Sequence, residues 1–531
     1  MEVKNSRFII ENKRWVFSSL LFSVLILLPV LVLLLNFFNG DQTTLNYLFG
    51  TVLFDYSFNT LYLILLTSFT SFVLGVFPAW IISNYDFVGR KFFDIALYLP
   101  LAIPSYIMAF TYIDVLNFTG PFQSFLRSYA FLPSDLFNID YLQIETLGIL
   151  MGLSLYPYVY TASRVSFSLI GSNYINVSKN LGLSSAQTFF KVILPLSKPA
   201  IISGLFLVIM EVLNEYGAVK YFGVNTYTSG IFRSWFSLGD INGAIQLACI
   251  LIIFVLLLFY IEKKSIKNSQ FYYSKNSDVF SGKLKRSNKN ILFFLICLIP
   301  FLLGFIIPVI SITNNVFNNF HETNFTKLFE LTRNSIFVST LSAVIIIIIA
   351  LFFLFVNRIS KIKSLSFINN LISLGYALPG AVIGLGLILL FSSYSLIGTF
   401  YVLFYAYIIR FLAVGKSPIK SSIEKQPESF DDTGKNLGLG PFKLLRQIHL
   451  PVNKYALVSA FILVFIDVMK ELPITLILRP FNFDTLATQT YEFAVEEMLP
   501  LSSIYSLIII VLSSVMLLIL KKFVDKQLNV S

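Results

Sequence analysis

Charge is scarce in this chain. Asp, Glu, Lys and Arg make up 13% of its 531 residues, against roughly a quarter in soluble globular proteins. Hydrophobic residues make up 56%, which describes an integral membrane protein. Cysteine is nearly absent: Cys249 and Cys297 sit in separate apolar runs. That excludes a disulfide framework, a zinc spacing or a redox pair and leaves two small buried hydrophobes. The two histidines, His321 and His449, are isolated and have no ligand partner at helical spacing, so neither is assigned to a metal. No complete phosphate-binding loop exists either. Gly415-Lys416-Ser417 looks like the tail of one, but Arg410 occupies the first glycine position. An apolar span precedes it where the motif needs a strand, so ATP hydrolysis by this chain alone is excluded.

What is present is length and apolarity. Runs at 17–38, 247–261, 291–312 and 502–520 match the 17–25 residues of a membrane-crossing helix and rule out the alternating strands of a membrane barrel. Six spans are expected in each half, near 16–38, 57–83, 92–115, 144–170, 198–216 and 242–262, then 290–313, 334–357, 367–393, 397–414, 454–475 and 501–521. The fold class is an all-α integral membrane protein of about twelve transmembrane helices in two pseudo-symmetric six-helix halves. Lys4, Arg7, Lys13 and Arg14 precede the first span, but its apolar run is too long for a signal peptide and no small-residue cleavage site follows. It reads as a retained anchor.

The net charge of +11 is explained by orientation. With the N-terminus inside, cytoplasmic loops hold most of the 39 Lys and Arg, and the outer loops only Arg127, Lys220, Arg233, Lys327, Arg333 and Arg479. That asymmetry is the positive-inside rule; it puts both termini in the cytoplasm, and nucleic acid is not an expected partner.

The chain repeats itself. KNLGL at Lys179–Leu183 returns 256 residues later at Lys435–Leu439, Leu194-Pro195 as Leu450-Pro451, and Glu215 as Glu471. Asn59 and Asn334, and Ile103-Pro104 and Leu378-Pro379, echo at an offset of 275. Two offsets mean a duplicated unit whose first copy gained 19 residues between Pro104 and Asn173, and a duplication decides architecture. The expected domains are a first transmembrane repeat over 1–262, a basic cytoplasmic linker over 263–290 and a second repeat over 291–531. The extra residues fall in an outer loop around 116–141, with Gly120-Pro121 and Leu132-Pro133-Ser134. Its aromatic residues suggest packing. Pro100 and Pro104, and Pro379 with Gly380, Gly384 and Gly386, interrupt matched spans; kinks and close helix packing account for them, with a role in rocking between states as the alternative.

Between spans four and five of each half lies a polar segment of about 28 residues. It reads as a helix, a glycine stop at Gly182 or Gly438 where φ > 0 is needed, a second helix with an apolar face, then Leu-Pro. The apolar face comprises Phe189, Phe190, Val192 and Ile193, and in the second copy Phe442, Leu444, Leu445 and Ile448. A short helix across the cytoplasmic face suits docking into another protein, and two of them suit a two-fold partner; a helix lying on the membrane is the alternative.

This segment resembles the EAA loop of binding-protein-dependent ABC transporter permeases. The match falls on Lys179, Leu181, Gly182, Leu183 and Leu194-Pro195, and on Asp432, Lys435, Leu437, Gly438, Leu439 and Leu450-Pro451. Where the pattern has Glu-Ala-Ala, the first copy reads Asn176-Val177-Ser178 and the second Asp432-Thr433-Gly434. LPLAIPSYIMAF (99–110), EVLNEYGAVKYFGV (211–224), YALPGAVIGLGLI (376–388) and DVMKELPITLILRPFNFDTLATQTYEFA (467–494) look like the fused two-repeat permeases for ferric iron uptake. The thiamine permeases are similar fused proteins. The resemblance implies a type I, MetI-like permease in a bacterial inner membrane, with two ATPase subunits docked on the loops and a periplasmic iron-binding protein outside. It implies no cofactor bound by this chain, ATP being used by the partner.

Glu211 and Glu215 lie one helical turn apart in span five, and Asp467 and Glu471 hold the same places in span eleven beside Lys470. Charges in a membrane usually face a cavity or a partner. Glu211 lies roughly 20 Å from the inner end at 1.5 Å per residue. The cluster reads either as the environment of a passing cation or as acids bonded across helices that lock an outer gate. An ion-driven secondary transporter and a non-transporting scaffold are the rival classes. The first predicts a titratable relay near the midplane, and the second has no use for matched interruptions.

Overall fold

The computed structural model describes residues 13–39, 42–129, 140–267, 285–286 and 290–530. Leu132-Pro133-Ser134 and most of the 263–290 linker lie outside the described residues. Two parts of that linker are described: the sixth-span helix runs on to Lys267, and Lys285–Arg286 pairs in parallel with Tyr85–Asp86.

Among the described residues, eight helices are long and apolar enough to cross a membrane, and three bent helix pairs raise the number to eleven. The expected fourth span is a helix, Ile144–Asn180, that falls outside this set. Its sequence is diluted by glycine, serine and Arg164, which suits an interior position: Tyr156, Val159 and Tyr160 are fully buried. Lipid gives no hydrophobic reward for helix pairing, so close approach at small residues carries it. A Cβ on Gly75 would stand 2.9 Å from the Tyr160 backbone nitrogen, and one on Gly152 would stand 2.5 Å from Thr70. The helix Phe325–Ser360 contains Ile345–Ile349, a β-branched run that favours a strand in water. In lipid every backbone group must be satisfied within the segment, and it stays helical.

The chain forms two compact units that cut it elsewhere than the sequence division does. One comprises Thr43–Thr323 with Thr490–Ile510. In it the helices Asn290–Phe301 and Ile307–Asn318 pack on first-repeat helices. Tyr112 donates to the Leu303 carbonyl at 2.5 Å, Asn315 donates to Asp114 at 2.7 Å, and Phe301 meets Phe92 edge-on. The other unit comprises Met1–Gln42, Asn324–Gln489 and Val511–Ser531. Here the first helix, Lys13–Asn39, packs on second-repeat helices, with Trp15 stacked on Phe352. Pro29 leaves the Leu25 carbonyl without its helical donor, and the Tyr405 hydroxyl donates to it instead. Each unit thus takes the first span of the other repeat.

Spans three, five, nine and eleven are interrupted. The third is bent by 93° between Arg90–Ala102 and Ser105–Ser128, the ninth by 110° between Lys363–Ala377 and Gly380–Phe391. The fifth and eleventh, expected as continuous over 198–216 and 454–475, stop at Asn214 and Met469 and resume as short helices at Gly217 and Pro473.

Candidate coupling loops and membrane charges

The two EAA-like segments share a backbone. The helix Ile144–Asn180 runs out to Gly182 at φ +78°, and Ser429–Asn436 to Gly438 at φ +75°. The Leu183 N–H reaches the Ser178 carbonyl and the Leu439 N–H the Gly434 carbonyl, both at 3.0 Å. These bonds take up carbonyls that a helix end leaves bare, and they require a residue that accepts positive φ. Next comes a short helix, Ser185–Thr188 under a Ser184–Gln187 capping box or Pro441–Leu444 with proline in its first turn, and then a π turn, Phe189–Ile193 or Leu445–His449.

Each segment has a docked face and a bare one. Phe189 packs on Phe77, Trp80 and Phe167; Leu444 packs on Phe355 and Ile359, with Trp15, Leu445 and Ile448 around it. Leu181 and Leu437 are 75% and 73% exposed, and Phe190 and Phe442 are exposed beside them. Leu181 and Leu437 thus hold repeat-matched positions and face outward, while Phe190 and Phe442 add an exposed ring to each segment at positions that do not correspond. Asn176 and Lys179 fall on the last turns of their helix with side chains outside the described residues. Asp432 and Lys435 are exposed.

The acid that structures the second loop is the neighbour of the expected one. Asp431 is buried and accepts from Arg358 Nε at 2.6 Å and pairs with His449 Nε2 at 2.7 Å. Arg358 also donates to the Ile423, Gln426 and Pro427 carbonyls. Burial alone would raise the Asp431 carboxyl, but its bonds from His449 and Arg358 prevail and hold it below the usual carboxylate range. His449, isolated in sequence, thus has a partner 18 residues away. Among the described residues no group of three His, Cys, Asp or Glu is placed to hold a metal.

The membrane acids mark the helix breaks. Glu215, just past the end of Leu194–Asn214, accepts the Ala218 N–H at 3.0 Å; Glu471, past Lys454–Met469, accepts the Ile474 N–H at 3.1 Å. Each carboxylate caps the helix that restarts after it. Glu211 stays inside its helix, a turn earlier. Asp467 pairs with Lys470 at 3.0 Å, and Glu471 with Arg410 at 3.4 Å. Arg410 was legible as a cation in an apolar run, which demands a partner. Lys416, the phosphate-loop lookalike, lies inside the helix Phe400–Glu424 and donates to the Asn369 carbonyl and Ser373 Oγ.

The Asn59–Asn334 echo also has a physical basis. Asn59 donates to the Asn225 carbonyl at 3.0 Å and Asn334 to the Asp484 carbonyl at 3.1 Å, each fixing the loop beyond a broken span.

The family described as "Binding-protein-dependent transport system inner membrane component" matches the chain twice, at residues 71–263 and 363–529. The chain is 28% identical over 477 residues to the Fe(3+)-transport system permease protein FbpB 2 of Haemophilus influenzae, spanning 88% of this chain and 90% of that one. It is 28% identical over 153 residues to the sulfate transport system permease protein CysT of Salmonella typhimurium, 29% of this chain and 53% of that one. It is 26% identical over 196 residues to the molybdenum transport system permease protein ModB of Haemophilus influenzae, 36% and 82% respectively. With the family matched in both repeats, this chain belongs to the inner-membrane components of binding-protein-dependent transport systems: it is a multi-pass permease subunit of an importer and not itself an enzyme.

Proposed function

We propose that this permease moves ferric iron, handed over by a periplasmic binding protein, into the cytoplasm. Two ATPase subunits dock on the loops around Gly182 and Gly438, and both termini lie in the cytoplasm. ATP is bound and hydrolysed by those partners; this chain holds no cofactor.

The observation that carries the iron reading is the span of the likeness. The Fe(3+) permease relative matches across both repeats and nearly end to end, whereas the sulfate and molybdenum permease relatives match over 153 and 196 residues. The bare apolar side chains Leu181 and Phe190 of one loop, and Leu437 and Phe442 of the other, support the docking reading, since exposed apolar residues mark an interaction surface. Glu211, Glu215, Asp467, Lys470 and Glu471 are read as gate residues. Asp467 and Glu471 are matched by Lys470 and Arg410, so the second repeat offers a solute little net charge, and Glu215 and Glu471 are engaged in capping. Selectivity then rests chiefly with the binding protein.

The test is uptake of labelled ferric iron into proteoliposomes holding this chain, its ATPase and its binding protein. ATP-dependent entry is expected. ATP hydrolysis stimulated by the binding protein without iron entry would keep the importer and discard the metal. Thiamine, sulfate and molybdate would be tried next.

A further inference from the structure

We propose that Arg410 is a positioning residue for transport: its guanidinium ties the two helix breaks of the second repeat, at Leu378 and at Glu471, into a single body. The proposal rests on the importer reading.

Arg410 lies about ten residues into the helix Phe400–Glu424 and is 2% exposed. A cation buried there needs compensation; the Phe411 and Tyr376 rings lie near it, and its two polar partners sit at interruptions. Nη1 donates at 2.9 Å to the carbonyl of Leu378, at the corner where the ninth span bends by 110°. Nε lies 3.4 Å from Oε2 of Glu471, an ion pair without a hydrogen bond. The other oxygen of that carboxylate is the cap on Ile474, and the Glu471 carbonyl accepts from Thr475 Oγ1 at 3.0 Å. Thr475 meets the Tyr407 hydroxyl at 2.7 Å, and Tyr407 lies about one turn before Arg410 on the same helix. One helix face therefore grips one corner by its carbonyl and the other by its carboxylate and threonine. A planar fork of donors can serve both directions at once; an ammonium is a point charge.

The first repeat supplies the contrast. At the position of Arg410 it has Ser154, whose hydroxyl bonds to Ser105 Oγ at 3.2 Å and to the Met151 carbonyl at 3.1 Å. Glu215 caps its helix as Glu471 does, but a serine is too short to join two breaks.

Two variants in the reconstituted complex test this: Arg410→Lys, and the paired Arg410→Met/Glu471→Met. Replacing a buried ion pair with apolar residues is often neutral for folding, so the paired variant removes the tie without leaving a bare charge. Ferric iron moved per ATP hydrolysed should fall about tenfold in both. In the paired variant loss of the Glu471 cap by itself speeds exchange at Ile474–Leu478, so the tie is read at Ala381–Ile383, where exchange should speed up about tenfold in both variants while the helix Phe325–Ser360 is unchanged. A paired variant with wild-type exchange and a wild-type ratio would reduce the pair to packing and overturn the proposal. So would an Arg410→Lys protein indistinguishable from wild type, which also decides the matter if the paired variant does not fold. A wild-type complex that moves no iron counts against the iron reading instead, and local exchange still reports on the tie.

Discussion

The two EAA-like segments have one backbone and two kinds of clamp. In the first repeat, Ser185–Asn214 runs as one helix from the loop through the fifth span, so displacement of the loop is carried directly along a rod. In the second, Pro441–Val452 meets Lys454–Met469 at 79°. The corner is at Asn453, which donates to the His449 carbonyl and accepts from Gln426. Arg358, Asp431 and His449 pin that loop; the first repeat has Ser83, Ile175 and Ile193 at the matching positions. A bent connection transmits force only if its corner is stiff, and the buried ion-pair network stiffens it. Duplication preserved the glycine cap and the π turn, and divergence changed how the loop is braced.

The largest break in the comparison is expected from Asp431→Ala, which leaves Arg358 half-buried without its carboxylate. Loss of one partner of a buried pair costs on the order of 3 kcal/mol. Amide exchange should show the second loop opening and the first loop unaffected. Gly434→Ala should cost about 1–3 kcal/mol by overpacking, because the added Cβ would stand 2.4 Å from Leu444 and 2.9 Å from Ile448. Ser178→Ala, at the matching place, removes only a bond to the Tyr174 carbonyl and should stay within about 0.5 kcal/mol; thermal unfolding of the two variants checks the difference. Gly182→Ala and Gly438→Ala should each cost about 1 kcal/mol through backbone strain at positive φ. Nothing stands within 4 Å of either position, so bulk itself is not the obstacle, and an asparagine should recover part of the loss. Unequal costs would mean that the bracing reaches the glycine cap. The smallest effect is acid sensitivity. The Asp431 carboxyl is depressed in the folded protein, so its contribution is complete above the unfolded value of about 3.9 and is lost as pH falls through the folded one. Limited proteolysis of the second loop should rise as pH falls below about 4.

Much of this was readable in the chain. The offsets of 256 and 275 located both loops, and Gly182 and Gly438 were readable as caps because a helix stop followed by positive φ has a residue signature. The breaks after Asn214 and Met469 were not. Hydropathy counts Glu215 and Glu471 as blemishes in a continuous span, and their capping role exists only once the chain turns. Asp431 and Asp432 are adjacent and chemically alike; which one is buried depends on Arg358, 73 residues away. The π turns have no residue signature, and the exchange of first spans is a packing outcome that local periodicity does not encode.

That exchange has a consequence for biogenesis. The ribosome makes Lys13–Asn39 well before its packing partners, which begin at Asn324. At about 5–20 residues per second, the anchor waits on the order of tens of seconds in the bilayer before its neighbours exist. Pro29 meanwhile leaves a carbonyl turned to lipid until Tyr405 is made. The helix must therefore be apolar enough to persist alone, and separately synthesised repeats could each mature only by trading first helices with the other.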